Sequence, residues 1–118
     1  MQERRTAHRM PLKAKVRARL VDENGGVQAA TACSGWTQDV SLGGVRFGAR
    51  KPLPINSIVE LDIDCKHPAE VFQLRGQVGW LCNEGDRGGF SVGVFIHEAA
   101  RERVAAWRRM LERRGLAD

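Results

Sequence analysis

From Lys13 to Leu20 charged and apolar residues alternate without a break. Lys13, Lys15, Arg17 and Arg19 share one parity, and Ala14, Val16, Ala18 and Leu20 share the other. Successive side chains of an extended backbone point to opposite faces, so this spacing predicts a β-strand with one wet face and one buried face. The pattern returns where Val59, Leu61 and Ile63 alternate with Glu60, Asp62 and Asp64. A longer run places Phe72, Leu74, Gly76, Val78 and Trp80 on one parity, which turns Trp80 toward the core. Asp22 to Gly26 reads as a hairpin turn, because Asn24-Gly25 tolerates positive φ. A further strand is predicted over Val27 to Thr37, another around Val45 to Phe47 and a last one over Phe90 to Ile96. Six short strands separated by turn residues predict a barrel or a sandwich.

The chain then changes period. Ala100, Val104, Trp107 and Leu111 recur at steps of four, three and four, which is one face of a helix. Glu98 near its start and Arg113 and Arg114 near its end suit the helix dipole, and Gly115 suits a C-cap. The apolar face closes the core through Trp107 in the simplest reading, and receives a partner in the alternative one. The chain therefore divides into a flexible basic arm over 1–12, a β-barrel over 13–97 and a helix over 98–115. With 118 residues, 42% of them hydrophobic, it is expected to build one domain without room for a separate effector domain.

Charge is segregated. Residues 1–19 hold seven Lys/Arg against Glu3, residues 20–100 hold six against ten Asp/Glu, and residues 101–118 hold six against three. A general nucleic-acid binder spreads its cations over a folded face, whereas here an acidic body carries a short basic arm suited to one small anion. Cys33, Cys65 and Cys82 stand far apart, as do His8, His67 and His97. This spacing fits reduced, mostly buried thiols rather than a disulfide framework or a metal site. No apolar stretch is long enough to span a membrane, and Met1 to Arg9 lacks the apolar segment of an export signal, so a cytoplasmic location is expected. Nucleophile-elbow, zincin and phosphate-loop patterns are missing, so no enzyme is expected and no cofactor is implied.

Two short motifs bear on function. Arg5-Thr6-Ala7-His8-Arg9, preceded by Arg4, stands just before the first strand, and Asp39-Val40-Ser41-Leu42-Gly43-Gly44 follows about thirty residues on. In this order and separation they resemble the RxxxR and (D/N)xSxxG signature of the PilZ domain family. Gly76-Gln77-Val78-Gly79-Trp80 and Val92-Gly93-Val94-Phe95 resemble later strands of that family, so the likeness covers nearly the whole chain. It implies an all-β fold, a six-stranded antiparallel barrel with a C-terminal α-helix, and a receptor for cyclic di-GMP that regulates a protein effector.

The resemblance assigns ligand contacts to Arg5, Arg9, Asp39, Ser41 and Gly44. Chemistry suits these assignments. A guanidinium matches guanine O6 and N7 as a fork, and it also grips phosphate. Arg5 and Arg9 share parity in an extended arm, with Arg4 on the opposite flank. A carboxylate at Asp39 accepts from guanine N1–H and N2–H. Ser41 offers a hydroxyl to phosphate or orients the turn, and Gly43 and Gly44 permit close approach or positive φ. Trp80 stacks on a base if it lies at the rim and packs inward if parity holds; Trp36 is open to both roles. The expected mechanism is a free arm that folds over Asp39 and Ser41 when ligand binds. Two other readings stand beside it: a PilZ-like adaptor without nucleotide, and a small barrel that binds single-stranded nucleic acid through aromatics in a basic groove.

Overall fold

The computed structural model describes residues 9–66, 69–85, 88–97 and 101–116. Its strands are β1 (Met10–Pro11), β2 (Lys15–Leu20), β3 (Cys33–Ser41), β4 (Gly44–Ala49), β5 (Ile58–Lys66), β6 (Ala69–Asn83) and β7 (Phe90–Ile96), followed by helix α1 (Arg101–Arg113). The strands run β1-β3-β2-β5-β6-β7-β4, and β4 pairs back onto β3, so six of them close an antiparallel barrel while β1 adds a seventh beside β3.

Alternation sets the barrel wall. Val16 and Ala18 of β2 face inward opposite Ile63 and Leu61 of β5, and all four are buried. On the outer face Arg17 stands opposite Asp62, and Arg17 and Arg19 each place Nη2 3.4 Å from Asp62 Oδ2. Phe47, Leu74, Val92 and Val94 complete the interior. Helix α1 buries Val104, Trp107, Met110 and Leu111. The Trp107 ring meets Phe72 of β6 edge-on, with centroids 5.4 Å apart. Glu60 of β5, 4% exposed, ties this helix to the wall. Arg75 Nε donates to its Oε1 at 3.1 Å and Arg103 Nη1 to its Oε2 at 3.2 Å. Gly115 ends the helix at φ +103°, with Leu116 N–H donating to the Leu111 carbonyl at 3.0 Å. Glu98 and Ala100 lie outside the described residues.

Two segments differ from the sequence expectation. The strand expected over Val27 to Thr37 begins at Cys33 and runs to Ser41; before it only Val27 makes an isolated bridge, to Val21. Asp22 Oδ1 accepts from the N–H groups of Asn24 and Gly26, both at 2.9 Å, and this turn sets Val27 against Val21. The ladder then lapses over residues 29–31, between the Gln28 N–H bond to the Leu20 carbonyl and the Ala32 N–H bond to the Ala18 carbonyl. Second, Met10–Pro11 is a strand and Leu12 is 6% exposed, so the end of the segment read as an arm is part of the sheet.

Candidate functional site: a charged and aromatic platform on the barrel's outer face

The link between β1 and β2 determines where Arg9 emerges. Met10 pairs with Val40 and Pro11 with Asp39, whereas Lys15 pairs with Trp36, so the lead-in kinks between the two ladders. Thr37 fills the kink: its hydroxyl accepts from the Ala14 N–H at 2.8 Å and donates to the Leu12 carbonyl. Arg9 is thereby delivered to the second motif. Its Nε donates to Asp39 Oδ1 at 2.5 Å, and its Nη1 to Ser41 Oγ at 3.5 Å. Asp39's other oxygen accepts from Arg46 Nη2. The carboxylate is thus engaged by two guanidiniums, and Arg9, where the described lead-in begins, rests on the motif turn.

Two one-residue bulges aim the site outward. Between Thr37 and Asp39 the register of β3 against β4 shifts, so Thr37 faces the core opposite Phe47 and Asp39 faces out opposite Arg46. Between Val78 and Trp80 the register of β6 against β7 shifts at Gly79. An extra residue reverses every later side chain of the strand. Trp80 therefore points outward, 44% exposed, which corrects its parity-based placement in the core. A Cβ at Gly79 would lie 2.0 Å from Phe95 Cε2, so any larger residue there would have to displace the exposed Phe95 ring.

One lateral row results. Pro11 pairs with Asp39, Asp39 with Arg46, Arg46 with Gly93, and Gly93 with Trp80. Gly93 has no side chain, and the Trp80 ring leans over it: a Cβ there would lie 3.5 Å from Trp80 Cε3. Phe95, 64% exposed, flanks the row.

The motif residues separate by role. Ser41 is 5% exposed and faces Arg9. Neither Gly43 nor Gly44 takes positive φ. A Cβ at Gly44 would lie 3.2 Å from the Val94 carbonyl oxygen, while one at Gly43 would meet nothing within 4 Å. Gly44 is thus held by close packing on β7, and Gly43 has no steric requirement. Arg4, Arg5 and His8 lie outside the described residues. Trp36 is 46% exposed, with Lys13 Nζ at 5.7 Å and Lys15 Nζ at 5.9 Å from its ring centre. It lines a different groove, with Lys15, Arg50 and Lys51, that includes none of Arg9, Asp39, Ser41 or Trp80.

Arg46 is the site residue that sequence reasoning missed. The signal was there: a two-residue turn at Leu42–Gly43 pairs Ser41 with Gly44, and counting outward sets Asp39 against Arg46. Among the described residues no cluster of His, Cys, Asp and Glu could hold a metal ion, and no helix is long and apolar enough to cross a membrane.

Solved structures share this architecture at low identity. The Bacillus subtilis inhibitor of motility, MotI/DgrA, superposes with a TM-score of 0.67 at 14% identity, over 97% of this chain and 52% of its own. The PilZ domain of Escherichia coli YcgR, solved with c-di-GMP, gives 0.66 at 14% identity over 92% of this chain and 88% of its own. The K. pneumonia MrkH–c-di-GMP complex gives 0.64 at 14% identity, over 94% and 52%. The chain spans about half the length of MotI and of MrkH. No curated protein matches the sequence. The family model for the PilZ domain matches residues 3–113, and with the closed barrel and the C-terminal helix in place, this chain belongs to the PilZ domain family.

Proposed function

We propose that this chain is a receptor for cyclic di-GMP that signals to a partner protein by changing the surface around Asp39. The observation that carries the proposal is the contact of Arg9, from the first motif, with Asp39 and Ser41, from the second. Residues 30 and 32 positions apart meet on an outer face that offers guanidinium, carboxylate, hydroxyl and an exposed indole together. A guanine dinucleotide with two phosphates needs that set: forks for O6/N7 and phosphate, a carboxylate for N1–H and N2–H, and a ring to stack on. The c-di-GMP complexes of the YcgR domain and of MrkH support the same ligand here. Arg5 is assigned to the ligand through the motif pattern, and Arg4, just before the motif, is assigned a contact from the opposite flank.

Binding exchanges guanidinium–carboxylate pairs for ligand contacts. Arg9 and Arg46 are 43% and 44% exposed at the side chain, and pairs this open are worth about 0–1 kcal/mol, so the ligand displaces them at little cost. The turned guanidiniums and the covered Trp80 give a partner a different face to read. The platform holds groups that bind and recognise, which suits a receptor rather than an enzyme. Calorimetric titration with cyclic di-GMP, with cyclic di-AMP as control, tests the proposal. Wild type takes up the guanine ligand selectively, and Arg9→Ala and Asp39→Ala each weaken it about tenfold or more. Unchanged affinity in both variants overturns it.

A further inference from the structure

The lateral row contains a position without a side chain that neither motif describes. Arg46 and Trp80 sit on β4 and β6, with β7 between them, and the β7 residue paired with both is Gly93. Two strand spacings separate the flanking backbones by about 10 Å. The middle position has no side chain to fill that interval. Its floor is Gly93, one wall is the half-exposed Trp80 indole, and the other is the Arg46 guanidinium, 44% exposed at the side chain. Among the described residues Arg46 is held from the β3 side, by Asp39, and β7 brings no acidic residue to the row.

We propose that Gly93, Trp80 and Arg46 form a slot for one guanine of the ligand, a reading that rests on cyclic di-GMP being that ligand. The base lies on the indole above Gly93, and Arg46 turns from Asp39 to its O6/N7 edge. This move frees one Asp39 oxygen for donors of the ligand. Arg46 is then a specificity-determining residue, because adenine carries a donor where guanine carries O6, and a guanidinium has no acceptor to offer it. Gly93 is required for the room it leaves.

Titrations of cyclic di-GMP and cyclic di-AMP against the full chain test the slot. Arg46→Ala lowers affinity for cyclic di-GMP about tenfold or more and shrinks the preference over cyclic di-AMP, and Arg46→Lys does not restore that preference, because the fork is lost. Gly93→Val, checked for an unchanged circular dichroism spectrum, weakens binding by a similar factor. Four results overturn the slot: unchanged affinity in Arg46→Ala, tighter binding in Arg46→Ala, full rescue of preference by lysine, or normal binding by Gly93→Val. If Arg9→Ala weakens binding while Arg46→Ala and Gly93→Val do not, only the slot fails. A wild-type chain that takes up no cyclic di-GMP removes the receptor reading and the slot with it.

Discussion

The hydroxyl of Thr37 donates to the carbonyl of Leu12 in the link between β1 and β2, and both residues are buried. The same hydroxyl accepts from the Ala14 N–H, so a single oxygen satisfies two backbone groups that the kink takes out of the ladder. Thr37→Val keeps the shape and strands both groups, at a cost of about 2–3 kcal/mol. Urea denaturation should show a lower midpoint at unchanged slope. Arg9 also loses its fixed exit beside Asp39, so affinity for cyclic di-GMP should fall in the same variant.

Glu60 is the second buried polar hub. Arg75 and Arg103 hold its two oxygens, and their own side chains are 34% and 50% exposed. Removing the half-exposed partner should cost little, about 0–1 kcal/mol for Arg103→Ala. Glu60→Ala removes the acceptor of both arginines and the packing beneath them, and should cost about 1–3 kcal/mol. The order Glu60→Ala, then Arg75→Ala, then Arg103→Ala, from most to least destabilised, is the result to check by thermal and chemical unfolding.

The glycines predict opposite outcomes for the same substitution. A Cβ at Gly35 would lie 1.6 Å from the Gly48 carbonyl oxygen on β4, so Gly35→Ala must push two paired strands apart. Overpacking of this kind should cost about 1–3 kcal/mol or prevent folding. Gly43, inside the motif, has open space and no positive φ, so Gly43→Ala should be neutral or stabilise by about 0.4–1 kcal/mol through the unfolded chain. Melting temperatures of the two variants, measured side by side, decide the matter.

Burial pushes the Cys33 thiol up to about 11 from an ordinary 9.0, against a small opposing pull from Lys51. The folded state therefore keeps its proton after the unfolded state has lost it. Its contribution to stability is complete below pH 9.0 and is lost as pH rises toward about 11, by roughly 2–3 kcal/mol. The pH slope of unfolding free energy over that window should be shallower in Cys33→Ala than in wild type. Cys65 is also buried with its thiol raised by burial, whereas Cys82 is exposed, so a thiol reagent at pH 8 should modify Cys82 first.

Much of this fold can be read from alternation. The pairing faces of β2 and β5, the first half of β6 and the helix stripe through Val104, Trp107 and Leu111 all follow from period alone. Parity counting fails where a strand carries an extra residue. Gly79 shifts the count by one and takes Trp80 from the core to the surface, and Gln38 does the same for Asp39. β1 is hard to see because two residues ending in proline carry no period. Arg46 is legible only through the hairpin, since its partner is fixed by register across a turn rather than by spacing along the chain.

β6 runs from the helix to the platform, with Phe72 under Trp107 at one end and Trp80 over Gly93 at the other. Eight residues of extended backbone separate those points by roughly 26 Å, and such a segment is stiff along its length. Its register against β7 breaks at the bulge at Gly79, which sits beside Trp80 and far from the helix. Small adjustments of the indole on binding are therefore expected to be taken up at this break rather than passed to the far end. On the proposed function, a partner that distinguishes the filled platform is expected to touch the platform's own rim, and one that grips only α1 is expected to hold both forms alike.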